Sequence, residues 1–255
     1  MCGRFVITSA PEAMRRLFGY IDQPNFPPRY NVAPTQPVPV VIIENSARQF
    51  RLMRWGFIPA WVKDPRGFAL LINARAETVL DKPAFKNAIR RRRCLIPADG
   101  YYEWPQSEAR KRPYFIHPRD GQPFGFAGLA ETWIGPNGEE LDTVAIVTTA
   151  ASADLAVLHP REPVTIARGD FDCWLDCSND DVEAALPLLT ASGDGEFVWH
   201  QVSTRVNRVA NDDAQLILPI SVEEAAAEEA QPAKKAAQRK PVAAASDDDG
   251  QGSLF

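Results

Sequence analysis

The chain has 255 residues, 45% of them hydrophobic and 24% charged, with a formal net charge of −5 at neutral pH. These values are ordinary for a soluble globular protein and argue against gross affinity for nucleic acid. No apolar run approaches the roughly 18 residues that span a bilayer, and charges interrupt the first twenty positions, so a cytoplasmic protein without a membrane anchor is expected.

In chain order, the sequence opens "MCGRF". Cys2 is small enough for Met1 to be removed ahead of it, and would then carry a free α-amine and a thiol two carbons apart. Such a 1,2-aminothiol condenses with an aldehyde and closes a five-membered ring. The plainer alternative is a buried small residue at the head of a strand. "RFVI", "PVPVVII" and "FRLMRW" read as short strands, with "PEAMRRLFGY" as a helix after the first of them. "AFKNAIRRR" is a second helical pattern, and "YFIH", "FGFAGLA" and "TVAIVTTA" are strands. "ASADLAVL", "GDFDCWLD" and "DDVEAALPLL" have helical spacing, between and around the strands "PVTIA" and "FVWHQV".

This order has no βαβ rhythm, no P-loop and no GxGxxG. It predicts an α+β fold over residues 1–220: one β-rich domain with a largely antiparallel, barrel-like sheet and flanking helices. From Ser221 onward the composition turns to Ala, Glu, Lys and Asp, with seven acids against four bases. Such a segment cannot bury enough surface to offset its ordering entropy, so residues 221–255 are expected to be a disordered tail, with a transient helix within Glu223–Lys240. The four cysteines are too few and too scattered for a disulfide framework. Cys173 and Cys177 lack the neighbouring His or Cys that zinc needs, so no metal site is expected.

Four segments hold polar groups that packing does not require. "LINARAETV" sets Asn73, Arg75 and Glu77 after an apolar run, where an amide can hold a reactive group and a guanidinium can grip a phosphate; a turn with surface charges fits equally. "CLIPADGYYEW" surrounds Glu103 with Tyr101, Tyr102 and Trp104, a setting that desolvates a carboxylate and suits it to proton transfer, or else an exposed strand glutamate. "AVLHPREPVTI" places His159 between a helix and a strand, as a proton carrier or as a structural imidazole. "RWGFIPAW" offers aromatic and proline groups fit to stack, or to fill a core. The four arginines Arg90–Arg93 add local charge to a groove, or mark a solvated helix end.

Together with "MCGRF" and "RYNVAPTQ", these stretches in this order resemble the SOS response-associated peptidase (SRAP) family of abasic-site processing proteins, over roughly residues 2–220. The resemblance implies that Cys2, exposed by loss of Met1, forms a thiazolidine crosslink with abasic sites in single-stranded DNA, shielding the lesion during replication and the SOS response. It implies Cys2 as nucleophile with Asn73, Glu103 and His159 as partners, and Arg4, Pro34, Trp61, Arg75 and Arg161 as DNA contacts. Peptidase activity would be confined to releasing Met1, and neither metal nor cofactor is called for. Glu162 departs from the family, which often has a large apolar or basic residue there. Two other readings stay open: a thiol peptidase acting on proteins, and a non-covalent single-strand-binding module. The final "QGSLF" resembles the pentapeptide by which bacterial repair proteins bind the sliding clamp, which implies Gln251, Leu254 and Phe255 as contacts despite Gly252. A nucleoid-associated monomer is expected.

Overall fold

The structure is a computed structural model that describes residues 2–22, 24–105 and 112–230. The strands are β1 (Phe5–Ile7), β2 (Arg29–Val32), β3 (Pro37–Glu44), β4 (Ala47–Trp55), β5 (Asn73–Arg75), β6 (Arg93–Ala98) and β7 (Gly100–Glu103). They continue with β8 (Tyr114–Pro118), β9 (Phe124–Ile134), β10 (Glu140–Ala150), β11 (Arg161–Pro163), β12 (Thr165–Ile166) and β13 (Phe197–Gln201). The helices are α1 (Pro11–Phe18), α2 (Ala88–Arg91), α3 (Ala153–Ala156), α4 (Phe171–Leu175) and α5 (Val222–Ala230).

Local chemistry explains several boundaries. Helix α1 starts with Pro11 in its first turn and ends at Gly19 in the left-handed region (φ 72°), where a side chain would be strained. β3 turns into β4 through Asn45 and Ser46, both at positive φ (51° and 61°), the two-residue turn that matches strand twist. β3 is an apolar run because both of its faces are covered: Val38, Val40 and Val41 are all inaccessible to solvent.

The larger sheet closes on itself. β10 pairs with β4, β4 with β3, β3 with β6, β6 with β9, and β9 returns to β10. That makes a five-stranded barrel, antiparallel except at β10–β4, and β5, β11 and β12 extend its rim. Closure leaves the barrel strands no free edge. The expected barrel-like, largely antiparallel architecture is what forms. A second, wholly antiparallel sheet runs β13-β8-β7-β1-β2. It is a wall between two cores. Phe5, Ile7 and Tyr101 face the barrel cluster, whereas Val6 and Tyr102 face a smaller cluster with Phe115, Val202 and Leu216. Phe5 locks the sheet to the barrel through edge contacts with Trp55 (5.2 Å) and Phe126 (5.9 Å). Gly100 is required where β7 meets β8, because a Cβ there would lie 2.5 Å from the Phe115 ring.

Two expectations need correction. "DDVEAALPLL" forms turns and a single 3-10 turn at Leu186–Leu188 rather than an α-helix. Asn179 and Asp181 accept from the backbone N–H groups two residues on, which diverts them from helix bonds, and Pro187 removes another donor. The Arg90–Arg93 run is not uniformly solvated: Arg93 is buried, donating to the carbonyls of Trp174 and Ile89. α5 falls at the start of the tail, where a helix was expected within Glu223–Lys240, and Glu228 accepts from Ser203 Oγ and Thr204 N. Gln251, Leu254 and Phe255 lie outside the described residues. Among those residues, no helix is long and apolar enough to cross a membrane.

Candidate active site

Cys2 is fully buried in the barrel cluster, just ahead of β1. Its carbonyl accepts a 2.9 Å hydrogen bond from Asn73 Nδ2. Asn73 and Arg75 share one face of β5 while Ala74 packs into the core, so the strand alternation that buries Ala74 turns both polar side chains the same way. Asn73 Oδ1 is also buried, with no hydrogen-bond partner among the described residues. It is an unsatisfied acceptor on the side chain that holds the Cys2 carbonyl.

Glu103 reaches the same place from β7. Phe5 pairs with Tyr101, and Tyr102 N donates to Arg4 O at 3.0 Å, so two residues further on Glu103 stands beside the chain at Gly3 and Cys2. Its burial at 4% exposure matches the desolvated setting expected from its aromatic neighbours. Burial drives the Cys2 thiol well above its ordinary range, and the Glu103 charge pushes it further in the same direction. The thiol is therefore held protonated.

His159 follows α3, and its Nδ1 lies 3.0 Å from Arg161 N and 2.9 Å from Arg161 O. It connects to the cysteine through sheet register. β10 pairs Ile146 with Asn73, Thr148 with Arg75, and Ala150 with Arg161. One strand thus sets the spacing of Asn73, Arg75 and the His159–Arg161 segment. Sequence reasoning marked Glu162 only as a departure. It is 2% exposed, and it accepts from Ser152 N (3.0 Å), Ser152 Oγ (3.1 Å) and Ser192 N, tying the start of α3 to the loop at Ser192.

The expected DNA contacts divide. Arg75 is exposed. Arg161 is not open: its guanidinium makes two parallel 2.9 Å bonds to Glu77. Arg4 is turned inward, donating to Asn31 Oδ1 (2.7 Å) and Val206 O (2.9 Å) and lying 6.0 Å over the Trp104 ring. In the free protein it ties the segment ahead of β1 to the 204–207 turn. Trp61 is 60% exposed and leans edge-on against Phe68. Its segment is anchored by Ile58 N on Thr143, about 17 Å along β10 from Thr148 at ~3.4 Å per residue. Pro34 occupies a turn closed by Gln36 N on Ala33 O, and Thr35 beside it has φ 75°, a conformation unusual for a β-branched residue. Thr35 N also donates to Trp55 O at 2.7 Å, which holds the turn that carries Pro34 against β4. Among the described residues, no three His, Cys, Asp or Glu side chains are grouped to hold a metal.

A buried thiol with an amide on its carbonyl and a carboxylate beside it, on the rim of a closed mixed barrel, defines a thiol-centred site. The chain belongs to the SOS response associated peptidase (SRAP) family, whose model matches residues 1–209. It is 35% identical over 221 residues to the abasic site processing protein YoqW of Bacillus subtilis, covering 85% of this chain and 99% of that one. It is 32% identical over 229 residues to the abasic site processing protein YedK of Escherichia coli, covering 86% and 100%. Among solved structures, a Bacteroides thetaiotaomicron protein superposes with a TM-score of 0.78 at 23% identity, over 86% of this chain and all of that one, which speaks to the fold alone.

Proposed function

We propose that this protein processes abasic sites in single-stranded DNA by linking to them covalently through Cys2 once Met1 is gone. The observation that carries the reading is the setting of Cys2, with Asn73 Nδ2 on its carbonyl at 2.9 Å and Glu103 beside it. The names of the curated relatives, abasic site processing proteins, support the choice of substrate.

An abasic deoxyribose interconverts between a closed hemiacetal and an open aldehyde. His159 would move the proton that opens the ring. The neutral α-amine of Cys2 attacks the aldehyde carbon, and the carbinolamine loses water to give an imine. The Cys2 sulfur then adds to the imine carbon while a proton passes to nitrogen, closing a thiazolidine with one water released overall. Because the thiol is held protonated, ring closure needs a base for the S–H proton, and Glu103 is the group beside it. General acid–base help of this kind contributes about 10²–10⁴-fold. Asn73 keeps the Cys2 backbone in attack geometry, cutting the orientation cost. Arg75 would take a backbone phosphate, while Trp61 and Pro34 would stack on or displace a base and disfavour paired duplex. At the terminus, Gln251, Leu254 and Phe255 would engage the sliding clamp and raise the local concentration of the protein near exposed single strands.

The test is incubation of processed protein with a single-stranded oligonucleotide carrying one abasic site, read on a denaturing gel. A shifted band that survives denaturation is expected, with none for undamaged strands and much less for duplex. Cys2→Ser keeps the amine and should give only a labile, borohydride-trappable imine. A protein peptidase or a non-covalent binding module yields no denaturant-stable band, so wild-type protein that never shifts ends the proposal.

A further inference from the structure

The guanidinium of Arg161 has five N–H groups, and four of them already face acceptors. Nη1 and Nη2 each donate to one oxygen of Glu77 at 2.9 Å; Nη2 also donates to Thr148 O at 2.7 Å, and Nε faces Thr148 Oγ1 at 3.4 Å. The pairing with Glu77 is the two-pronged, parallel arrangement in which guanidinium groups bind phosphate. A phosphate therefore finds only one N–H left on Nη1, with a carboxylate charge in its path. The ion pair also lowers the pKa of Glu77, keeping it charged.

The two partners are not equally fixed. Arg161 is 18% exposed, held by the β10 carbonyl and by its own place in β11, whereas Glu77 is 48% exposed on a single 3-10 turn, Ala76–Thr78. Ion pairs open to solvent on one side are weak and cheap to part. The side chain that can leave is Glu77. Arg75, two residues before it, is exposed and within electrostatic reach of the same carboxylate.

We propose that Glu77 is a specificity-determining stand-in for phosphate. It occupies the Arg161 fork in the free protein, so that a strand is first held through Arg75 and gains the second phosphate contact only by displacing Glu77. The device keeps affinity for intact single strands low and leaves the covalent step to decide which strands are retained. This inference rests on the single-stranded-DNA reading above.

The experiment measures fluorescence anisotropy of an undamaged, labelled single-stranded oligonucleotide against the full chain, in parallel with the abasic-site gel. Glu77→Ala should bind the intact strand about tenfold tighter at low salt, the size of one charge-assisted contact. The slope of log affinity against log salt should steepen by about 0.7, one single-strand phosphate. Glu77→Gln, with a neutral acceptor, should fall between. The gain must vanish in Glu77→Ala combined with Arg161→Ala; if it persists there, it reflects general charge and the proposal is overturned. Weaker binding by Glu77→Ala would show that Glu77 instead presents Arg161 to the phosphate, and also overturns it. If wild type crosslinks abasic DNA yet Glu77→Ala changes neither affinity nor slope, the stand-in fails while the functional reading stands. If wild type neither binds nor crosslinks, the functional reading falls and takes the inference with it.

Discussion

Replacing Glu162 with methionine tests how much the buried carboxylate contributes to holding the start of α3 against the loop at Ser192. Methionine is apolar, and its volume is close to that of glutamate. Buried ionised groups exchanged for apolar residues are often tolerated when all partners change together. Here they do not. Two of the three donors to Glu162 are backbone N–H groups, Ser152 N and Ser192 N, which no side-chain substitution removes. A buried donor stranded in this way costs about 1–3 kcal/mol, and relaxation of the Ser192 loop toward solvent recovers part of that for one of them. The net loss should be about 2–4 kcal/mol, or roughly 5–15 °C in Tm for a domain of this size. Differential scanning calorimetry of wild type and Glu162→Met reads this directly. Ser152 starts the turn that carries α3 into His159, so crosslinking should also slow at temperatures well below the lowered Tm. A variant with an unchanged or higher Tm would refute the reasoning and show that Glu162 is a replaceable filler.

Asn73→Ala should leave the fold intact and cut the crosslinking rate by about 10²-fold, because the orientation of Cys2 is lost; a gel time course measures it, and an unchanged rate removes Asn73 from the mechanism. Burial raises the pKa of the Cys2 and Cys94 thiols, so the folded state keeps both protons at pH values where the unfolded chain has released them. Their contribution is complete below the unfolded thiol pKa near 8.5 and declines above it, by about 1.4 kcal/mol per pH unit for each thiol. Urea unfolding between pH 8 and 10 should show that slope, and Cys94→Ala should make it shallower. A labelled peptide of residues 241–255 should bind purified sliding clamp saturably in fluorescence polarisation and lose binding on Leu254→Ala with Phe255→Ala; no binding at high micromolar clamp would sink the tethering idea.

Long apolar strands such as "PVPVVII" and "TVAIVTTA" were legible because both of their faces are covered. β2 and β5 were not, since three or four residues of mostly polar character carry no periodicity and acquire strand form only from their partners. Barrel closure through β9–β10 and β10–β4 is equally invisible in a linear pattern. For the site, the ordered motifs singled out Cys2, Asn73 and Glu103, which the fold brings together. What arginines do was beyond reach: Arg4 meets Val206 across 202 positions and Arg161 meets Glu77 across 84, so no local pattern records whether a guanidinium faces a ligand or its own chain. The helix expected at 180–189 failed for a local reason, as short polar side chains captured the N–H groups that a helix needs.

β10 belongs at once to the barrel, through β4 and β9, and to the site, through β5 and β11. Its central amides cannot exchange with solvent by a local opening that spares the rest of the domain, so Ile146 to Thr148 should be among the last to take up deuterium. The same bracing leaves the backbone beneath Asn73 and Arg75 no room to adapt to an incoming strand. Accommodation falls to side chains that swing, on the nanosecond scale of exposed rotamers rather than the slower scale of moving loops. A site of this kind should look nearly the same in backbone trace with and without DNA.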